Sequence, residues 1–241
     1  MIDGKTMEVI NLGNRIVNNY LLKMDDGYLL IDTGYPENFS GFLKNLKKQK
    51  IQITEIKYIL LTHAHDDHAG FLGELMKLTE AKVILKSDAI YRLSLGVNSF
   101  DGGYSGKLAL FTSKIMAIMG KGEHKFPPVN DKGRYIIADE ENPKLSKILG
   151  GKVVCLPGHT VDSIGFFTDD GTLFCGDAAM NGIPSMNRIT IWIENLDEYI
   201  KSWIRMIELD PKIIYPGHGK PFFKEDLQKY LKKLHRVKIL R

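Results

Sequence analysis

The stretch LLTHAHDDHAG, residues 60–70, carries three histidines and two aspartates within six consecutive positions. It overlaps the apolar run YILL (58–61), whose length and composition are typical of a short buried strand. Beyond a strand end, alternate residues project to the same side, so His63 and His65 can point at one ion while Ala64 points away. The stretch therefore predicts a strand that ends in metal ligands.

Asp67 and His68 fall at the expected start of the next helix, where the chain turns and presents them to a neighbouring point. Imidazole nitrogens and carboxylate oxygens suit a borderline ion such as zinc. Asp66 is out of phase with the histidine pair and is expected to cap the helix or to face solvent. Only one of the two aspartates is therefore predicted to be a ligand.

Three further candidate ligands follow predicted buried strands: His159 in LPGHT, Asp177 in FCGD and His218 in YPGHG. The glycine before each lets the backbone approach closely. Strand ends of one sheet layer converge on a common edge, so these residues can meet although they are distant in sequence. Seven ligands are more than one tetrahedral zinc ion can take, and they suit two ions about 3.5–4 Å apart, an arrangement used for hydrolysis.

The order of strand and helix signals predicts an α/β layered core. The turns at 25–27 and 169–171 join strand-like runs and predict hairpins. Helical periodicity occurs at 38–49, 69–79 and 195–208. The length of 241 residues and the absence of an internal linker predict one domain over residues 1–241.

Residues 87–133 interrupt this pattern with a Gly-rich segment (96–106) and an apolar helical stretch, LALFTSKIMAIM (108–119). An insertion between core strands has no sheet of its own to bury against, which favours a lid or a pocket wall. The same composition fits ordinary core or a dimer contact, and the sequence leaves these alternatives open.

The composition is 44% apolar and 26% charged with a net charge of +4, which argues against nucleic acid as a partner. Residues 223–241 carry seven Lys/Arg against two acids and predict an amphipathic helix with a solvated lysine face. Cys155 and Cys175 lie in apolar runs, as buried reduced thiols do. Neither a signal peptide nor a run of roughly 18 apolar residues is found, so a cytoplasmic protein without a membrane partner is expected.

The string His63-x-His65-x-Asp67-His68, followed in order by Gly-His159, Gly-Asp177 and Gly-His218, resembles the metallo-β-lactamase superfamily of hydrolases. The motif IDTG, with Asp32, matches as well. The resemblance covers about residues 7–222. It implies a four-layer αβ/βα sandwich with the metals at one edge of two packed sheets, to which the partly helical insertion at about 87–133 is added.

The resemblance also implies a role for each motif residue. His63, His65 and His159 would hold a first metal, and Asp67, His68 and His218 a second. Asp177 would bridge the two, Asp32 would orient ligands or loop backbone, and Asp67 would also orient the nucleophile. The implied cofactors are two divalent ions, with Zn²⁺ expected and Mn or Fe also suited. In the implied mechanism a metal-bridging hydroxide attacks a carbonyl or phosphoryl centre, and the metals stabilise the oxyanion.

Departures from other branches narrow the expected activity. Class B β-lactamases lack a bridging aspartate, which Asp177 supplies here. Only 23 residues follow His218, too few for the helical substrate domain of glyoxalase II relatives. The flavodiiron oxygen reductases have a glutamate where His65 stands, and the family's nucleases add an exosite arm or a second domain. The small lactonase and thioesterase-like members are the closest.

We therefore expect a metal-dependent hydrolase that cleaves an ester-type bond (a lactone, thioester or similar) in a small molecule. A phosphodiesterase or nuclease of the same fold, or a non-catalytic metal-bound sensor or scaffold, is the alternative. A homodimer is left open. The candidate substrate residues, chosen by composition and position, are Phe100, Tyr104, Phe111, Met116 and Met119 in the insertion and Met186, Arg188 and Trp192 after Asp177. His124 and His235 match no motif and are interpreted as ordinary histidines.

Overall fold

The computed structural model describes residues 8–118 and 122–241, and most of their strands form two sheets. The first sheet contains, in spatial order, β1 (Val9–Asn11), β2 (Tyr20–Lys23), β3 (Tyr28–Ile31), β4 (Ile56–Leu60), β5 (Lys82–Leu85) and β7 (Tyr135–Ile137). The second contains β12 (Ile213–Pro216), β10 (Thr172–Gly176), β9 (Ile164–Thr168) and β8 (Gly151–Cys155). A small ladder pairs β6 (Gly103–Tyr104) with β11 (Trp192–Ile193).

The described helices include those predicted at 38–49, 69–79, 108–119, 195–208 and within 223–241, and also two at 89–95 and 143–149 that were not predicted. They are α1 (Phe39–Lys48), α2 (Asp66–Ala69), α3 (Leu72–Leu78), α4 (Ala89–Leu95), α5 (Lys107–Ile118), α6 (Pro143–Leu149), α7 (Leu196–Glu208) and α8 (Lys224–Leu234). Both predicted hairpins are confirmed: β2 pairs antiparallel with β3, and β9 with β10. No helix in the described parts of the chain is both long and apolar enough to cross a membrane.

Side chains alternate between the two faces of each sheet, which produces the layers. In β3, Leu29 and Ile31 pack between the sheets, whereas Leu30 packs on the outer side with residues of α1 and α3. In β10, Phe174 lies between the sheets and Leu173 packs under α7 and α8. The order helix, sheet, sheet, helix confirms the four-layer αβ/βα sandwich.

The insertion differs from its prediction, because it does have sheet partners. Tyr104 of β6 pairs with Trp192 of β11. Tyr104 also exchanges both backbone hydrogen bonds with Leu240, at 2.8 and 2.9 Å. The expectation of a segment without its own sheet is therefore wrong. Trp192 and Leu240 are distant from Tyr104 in sequence, so no local pattern predicts their pairing with it.

Candidate metal centre

The candidate ligands lie where the strands of both sheets end, at one edge of the sandwich. His63 and His65 follow β4, His159 follows β8, Asp177 follows β10 and His218 follows β12. Parallel strands in a layered α/β fold direct their carboxyl ends to one edge, where ligands bind. The predicted meeting of these distant residues is therefore observed.

Three histidines form a first cluster: His63, His65 and His159. His63 Nε2 lies 3.1 Å from His159 Nε2, and His65 Nδ1 lies 3.2 Å from that same atom. All three side chains are buried. Nitrogens that share a tetrahedral zinc ion at about 2.0–2.1 Å lie roughly this far apart. The cluster therefore has the size of a three-histidine metal site.

Asp67, His68 and His218 form a second cluster. His218 Nε2 lies 3.1 Å from Asp67 Oδ2 and 3.3 Å from His68 Nε2. The Asp177 carboxylate stands between the clusters, with Oδ1 3.5 Å from His68 Nε2 and Oδ2 3.7 Å from His159 Nε2. Asp177 is thus the carboxylate that both clusters can share.

The donor set fits divalent ions. Asp177 Oδ1 is buried and accepts no hydrogen bond from the described residues, which is costly for a carboxylate oxygen unless a cation meets it. All seven candidate ligands offer nitrogen or oxygen atoms. Both cysteines are free, and the Cys175 thiol lies against the backbone carbonyls of Gly176 and Ala179 instead. Imidazole and carboxylate donors suit Zn, Mn or Fe.

A chain of hydrogen bonds through Thr62 fixes two of the imidazole rings. Asp32 Oδ2 lies 2.8 Å from His68 Nδ1 and 2.7 Å from Thr62 Oγ1, which donates its proton to that carboxylate. Thr62 Oγ1 can then accept from His63 Nδ1 at 3.1 Å. Protons on both Nδ1 atoms leave both Nε2 lone pairs facing the clusters. This geometry gives Asp32 the orienting role that the resemblance implies, and adds Thr62, which sequence reasoning missed.

Backbone carbonyls orient the two other imidazoles that face the clusters with Nε2, those of His159 and His218. His159 Nδ1 donates to the Trp192 carbonyl at 2.8 Å, and His218 Nδ1 donates to the Ile16 carbonyl at 2.7 Å. Trp192, an early substrate candidate, therefore contributes its main chain to the site. Metal-binding histidines commonly donate their second nitrogen in this way.

The two clusters differ in charge. Burial and neighbouring imidazoles lower the pKa of His63 and of His65 well below the ordinary value. Burial also opposes charge on His68 and His218, but carboxylates including Asp67 and Asp177 raise the pKa of His68 to about 10 and that of His218 to about 9. A cation entering the second cluster must displace these protons, so its affinity there falls as the pH falls below about 10, and falls more steeply below about 9.

Gly217 gives a test of the second cluster that changes no ligand. A Cβ at this position would lie 2.6 Å from both Asp177 Oδ1 and His68 Cε1. Gly217→Ala is therefore expected to displace the two ligands and to weaken metal binding about 10- to 100-fold, as changes that misplace ligands do. The measurement is metal affinity by competition with a chromophoric chelator. Gly41→Ala is the control, because a Cβ there meets nothing within 4 Å. Equal affinities in the two variants would contradict the assigned geometry.

Asp66 has a role that the sequence did not predict. Its Oδ1 accepts from Asn98 Nδ2 at 2.8 Å, and its backbone N–H donates to Asn98 Oδ1 at 2.8 Å. His124 Nδ1 lies 3.6 Å from Asp66 Oδ2, and this contact raises the pKa of His124. Asp66 thus neither caps a helix nor simply faces solvent, and His124 has a specific partner in Asp66. Both tie the insertion to the ligand loop.

The candidate substrate residues differ in their exposure and in their contacts. Phe111 and Met186 are exposed. The side chain of Met116, and Met119 altogether, lie outside the described residues. Arg188 donates to Asp226 Oδ2 through Nε at 3.0 Å and through Nη2 at 2.8 Å. Arg188, a substrate candidate, is therefore paired with a carboxylate of this chain.

An ion cluster behind the first cluster was also missed. Arg92 makes two hydrogen bonds to the Glu194 carboxylate, at 2.8 and 2.9 Å, and lies 3.2 Å from Asp162 Oδ1. Asp162 Oδ2 accepts from the Ala64 N–H, and Glu194 Oε2 accepts from the Val161 N–H, both at 2.8 Å. One guanidinium thus joins the loop of His63 and His65 to the loop of His159. Its partners are up to 102 residues away, so no sequence motif reveals it.

Replacing Arg92 should therefore loosen the first cluster. Arg92→Met is expected to weaken metal binding there about 10- to 100-fold, because buried Asp162 and half-buried Glu194 lose the cation that fixes both loops. Cobalt substitution, read by the visible absorption of the bound ion, reports the change in ligand geometry. Arg134→Met, which removes an ion pair with Asp131 away from the ligand loops, is the matched control. An unchanged cobalt spectrum in Arg92→Met would rule out the clamp.

Tyr35 is another residue that sequence reasoning missed, although it directly follows the IDTG motif. Burial, and then the charges of Asp67, Asp66 and Asp177, raise the pKa of Tyr35 far above its ordinary value. The phenol therefore stays protonated beside the second cluster and remains a hydrogen-bond donor.

Comparisons with known proteins agree with this geometry. The sequence profile of the Metallo-beta-lactamase superfamily matches residues 12–218. The metallo-beta-lactamase fold-containing protein ST1585 of Sulfurisphaera tokodaii is 31% identical over 86% of this chain and 74% of its own length. The solved structure of ST1585 superposes with a TM-score of 0.65 at 23% identity, covering 98% of this chain and 90% of that one.

A second relative shows how far such likeness extends. The beta-lactamase-like protein 2 homolog of Caenorhabditis elegans is 27% identical over 92% of this chain. The match spans only 62% of that relative's length, so the relative has a substantial part that this chain does not match.

Proposed function

Since the chain belongs to the metallo-beta-lactamase superfamily of metal-dependent hydrolases, we propose that it cleaves an ester-type bond of a small molecule at a centre for two divalent ions. The observation that carries this proposal is the pair of buried clusters that share Asp177. His63, His65 and His159 would hold one ion, and Asp67, His68 and His218 the other. Zn²⁺ is the expected ion. When bound, such ions supply an activated water and polarise the substrate oxygen.

Residues of the chain itself would orient the reacting water and the substrate. Asp67 keeps its carboxylate ionised, because the imidazoles of His68 and His218 outweigh the effect of burial and hold its pKa well below the usual range. An ionised carboxylate beside the reacting water can accept its hydrogen bond and fix its direction. Tyr35, which keeps its phenol proton, would donate a hydrogen bond to a substrate oxygen.

Apolar side chains on the loops of the site favour an organic ester over a polyanionic substrate. Ile16, whose carbonyl holds His218, is 54% exposed. Val161, two residues after His159, is 44% exposed, and Ile183, in the loop after Asp177, is 99% exposed. Exposed apolar groups on ligand loops offer contact area to an apolar substrate. Arg92 and Arg188 are already paired with carboxylates.

The test combines metal content with a substrate panel. Purified protein is stripped with a chelator, reloaded with Zn²⁺, and assayed on a lactone, a thioester, a nitrophenyl ester, a phosphodiester and a β-lactam. We expect about two ions per chain and turnover of carboxylic esters that disappears on stripping and returns on reloading. Cleavage of the phosphodiester alone would show a nuclease instead. Full metal loading without any turnover would show a scaffold.

A cytoplasmic location and a single domain remain predictions, and the sequence leaves a homodimer open. Gel filtration with light scattering measures the oligomeric state directly.

A further inference from the structure

A groove of about 580 Å³ lies between α4 and the loop that follows it. Tyr91, Leu95, Phe100 and Val161 contribute apolar side chains to its walls, and Arg92 also lines it. The volume falls within the range of about 300–1,000 Å³ that is usual for small-molecule sites. Four apolar side chains that are 44–71% exposed around one groove offer a surface to a ligand.

The groove adjoins the candidate metal centre along the same edge of the sandwich. Strand β5 pairs in parallel with β4, so Ser87 and Asp88, which line the groove, follow β5 where His63 follows β4. Val161 of the groove lies two residues after His159. Asn98, a further lining residue, holds Asp66 beside the ligand Asp67. The groove is therefore continuous with the loops of the first cluster.

The charges of the groove exclude an anionic occupant. The Arg92 guanidinium is only 12% exposed and is neutralised by Glu194 and Asp162. The other charged lining residues are acidic, namely Asp88 and Asp101. Asp88 is paired with Lys86, and Asp101 accepts a hydrogen bond from Ser99 at 3.1 Å. A phosphate or carboxylate would meet no free cation among these lining residues, and the charge of Asp101 would repel it.

We propose that this groove binds the uncharged, apolar acyl group of the substrate, which is then a carboxylic ester, thioester or lactone with a medium-length acyl chain. The inference rests on the proposed function and deepens it, because it names the part of the substrate that gives specificity. Phe100 is retained from the residues that the sequence suggested, whereas Tyr91, Leu95 and Val161 replace Phe111 and Met116.

Two leucines provide a matched test. Leu95 ends α4 within the groove and is 50% exposed, whereas Leu78 ends α3 outside it and is 49% exposed. The zinc-loaded full chain is assayed with nitrophenyl acetate and nitrophenyl octanoate. Leu95→Trp, which narrows the groove, is expected to lower the octanoate-to-acetate ratio of kcat/KM about tenfold, mainly through KM. Leu78→Trp should keep the wild-type ratio. Phe100→Ser, which removes apolar area, should also lower it.

Failure of the groove and failure of the enzyme can be told apart. If wild type hydrolyses both esters and Leu95→Trp keeps the ratio, the groove assignment is wrong while the hydrolase stands. If no ester is turned over, calorimetry with octanamide and octyl phosphate tests the groove alone. Octanamide binding that Leu95→Trp weakens and Leu78→Trp does not would support the groove. Absent binding, or octyl phosphate bound as tightly, would overturn it.

Discussion

Asp67→Asn is expected to lower kcat by about 10²–10⁴-fold, the usual contribution of a positioned acid or base group. The amide cannot carry the negative charge that Asp67 holds beside His218, and it is a weak metal ligand. The measurement is steady-state hydrolysis of the best ester of the panel with both ions loaded. Metal content is determined on the same samples, so that loss of an ion and loss of orientation are separated.

The neighbouring residue supplies the control. Asp66→Asn keeps the side-chain oxygen that accepts from Asn98 and removes only the charge near His124. Its kcat should stay within about threefold of wild type, because Asp66 belongs to neither cluster. An equal loss of kcat in Asp66→Asn and Asp67→Asn would contradict the assignment of Asp67 alone to the second cluster.

Asp177→Ala should have an effect on both clusters at once. This carboxylate lies 3.5 Å from His68 and 3.7 Å from His159, so its loss removes the group that the two ions would share. We expect the metal content to fall from two ions to one or fewer. A bound ion stabilises the transition state by several kcal/mol, so kcat/KM should fall by at least about 10³-fold.

The control for Asp177→Ala is Asp131→Ala, which removes a carboxylate from an exposed ion pair with Arg134. It should retain two ions and wild-type kcat/KM, since exposed pairs contribute about 0–1 kcal/mol to stability. Two tightly bound ions in Asp177→Ala would show that the clusters do not depend on a shared carboxylate. The proposed dinuclear centre would then need another ligand.

Local sequence patterns were sufficient to predict the turns, the helix and the strands that carry the candidate site. The turns at 25–27 and 169–171, the helix at 38–49 and the strands before His63, His159 and His218 are all present. Each depends on neighbours within a few residues, through side-chain periodicity and turn chemistry. The expectation that strand ends of one layer would bring the ligands together was too simple, because His63 and His65 follow a strand of the first sheet and His159, Asp177 and His218 follow strands of the second. The packing of the two sheets joins the two sets.

The sequence by itself determined which side chains could serve as ligands, and that five of them follow strands while Asp67 and His68 begin a helix, since residue type and periodicity are local properties. Only the tertiary structure decided what surrounds them. Asp66 meets Asn98, 32 residues away, Arg92 meets Glu194, 102 residues away, and Tyr104 pairs with Trp192 and Leu240. Such contacts depend on how distant segments pack, and packing is a property of the whole folded chain rather than of any one motif.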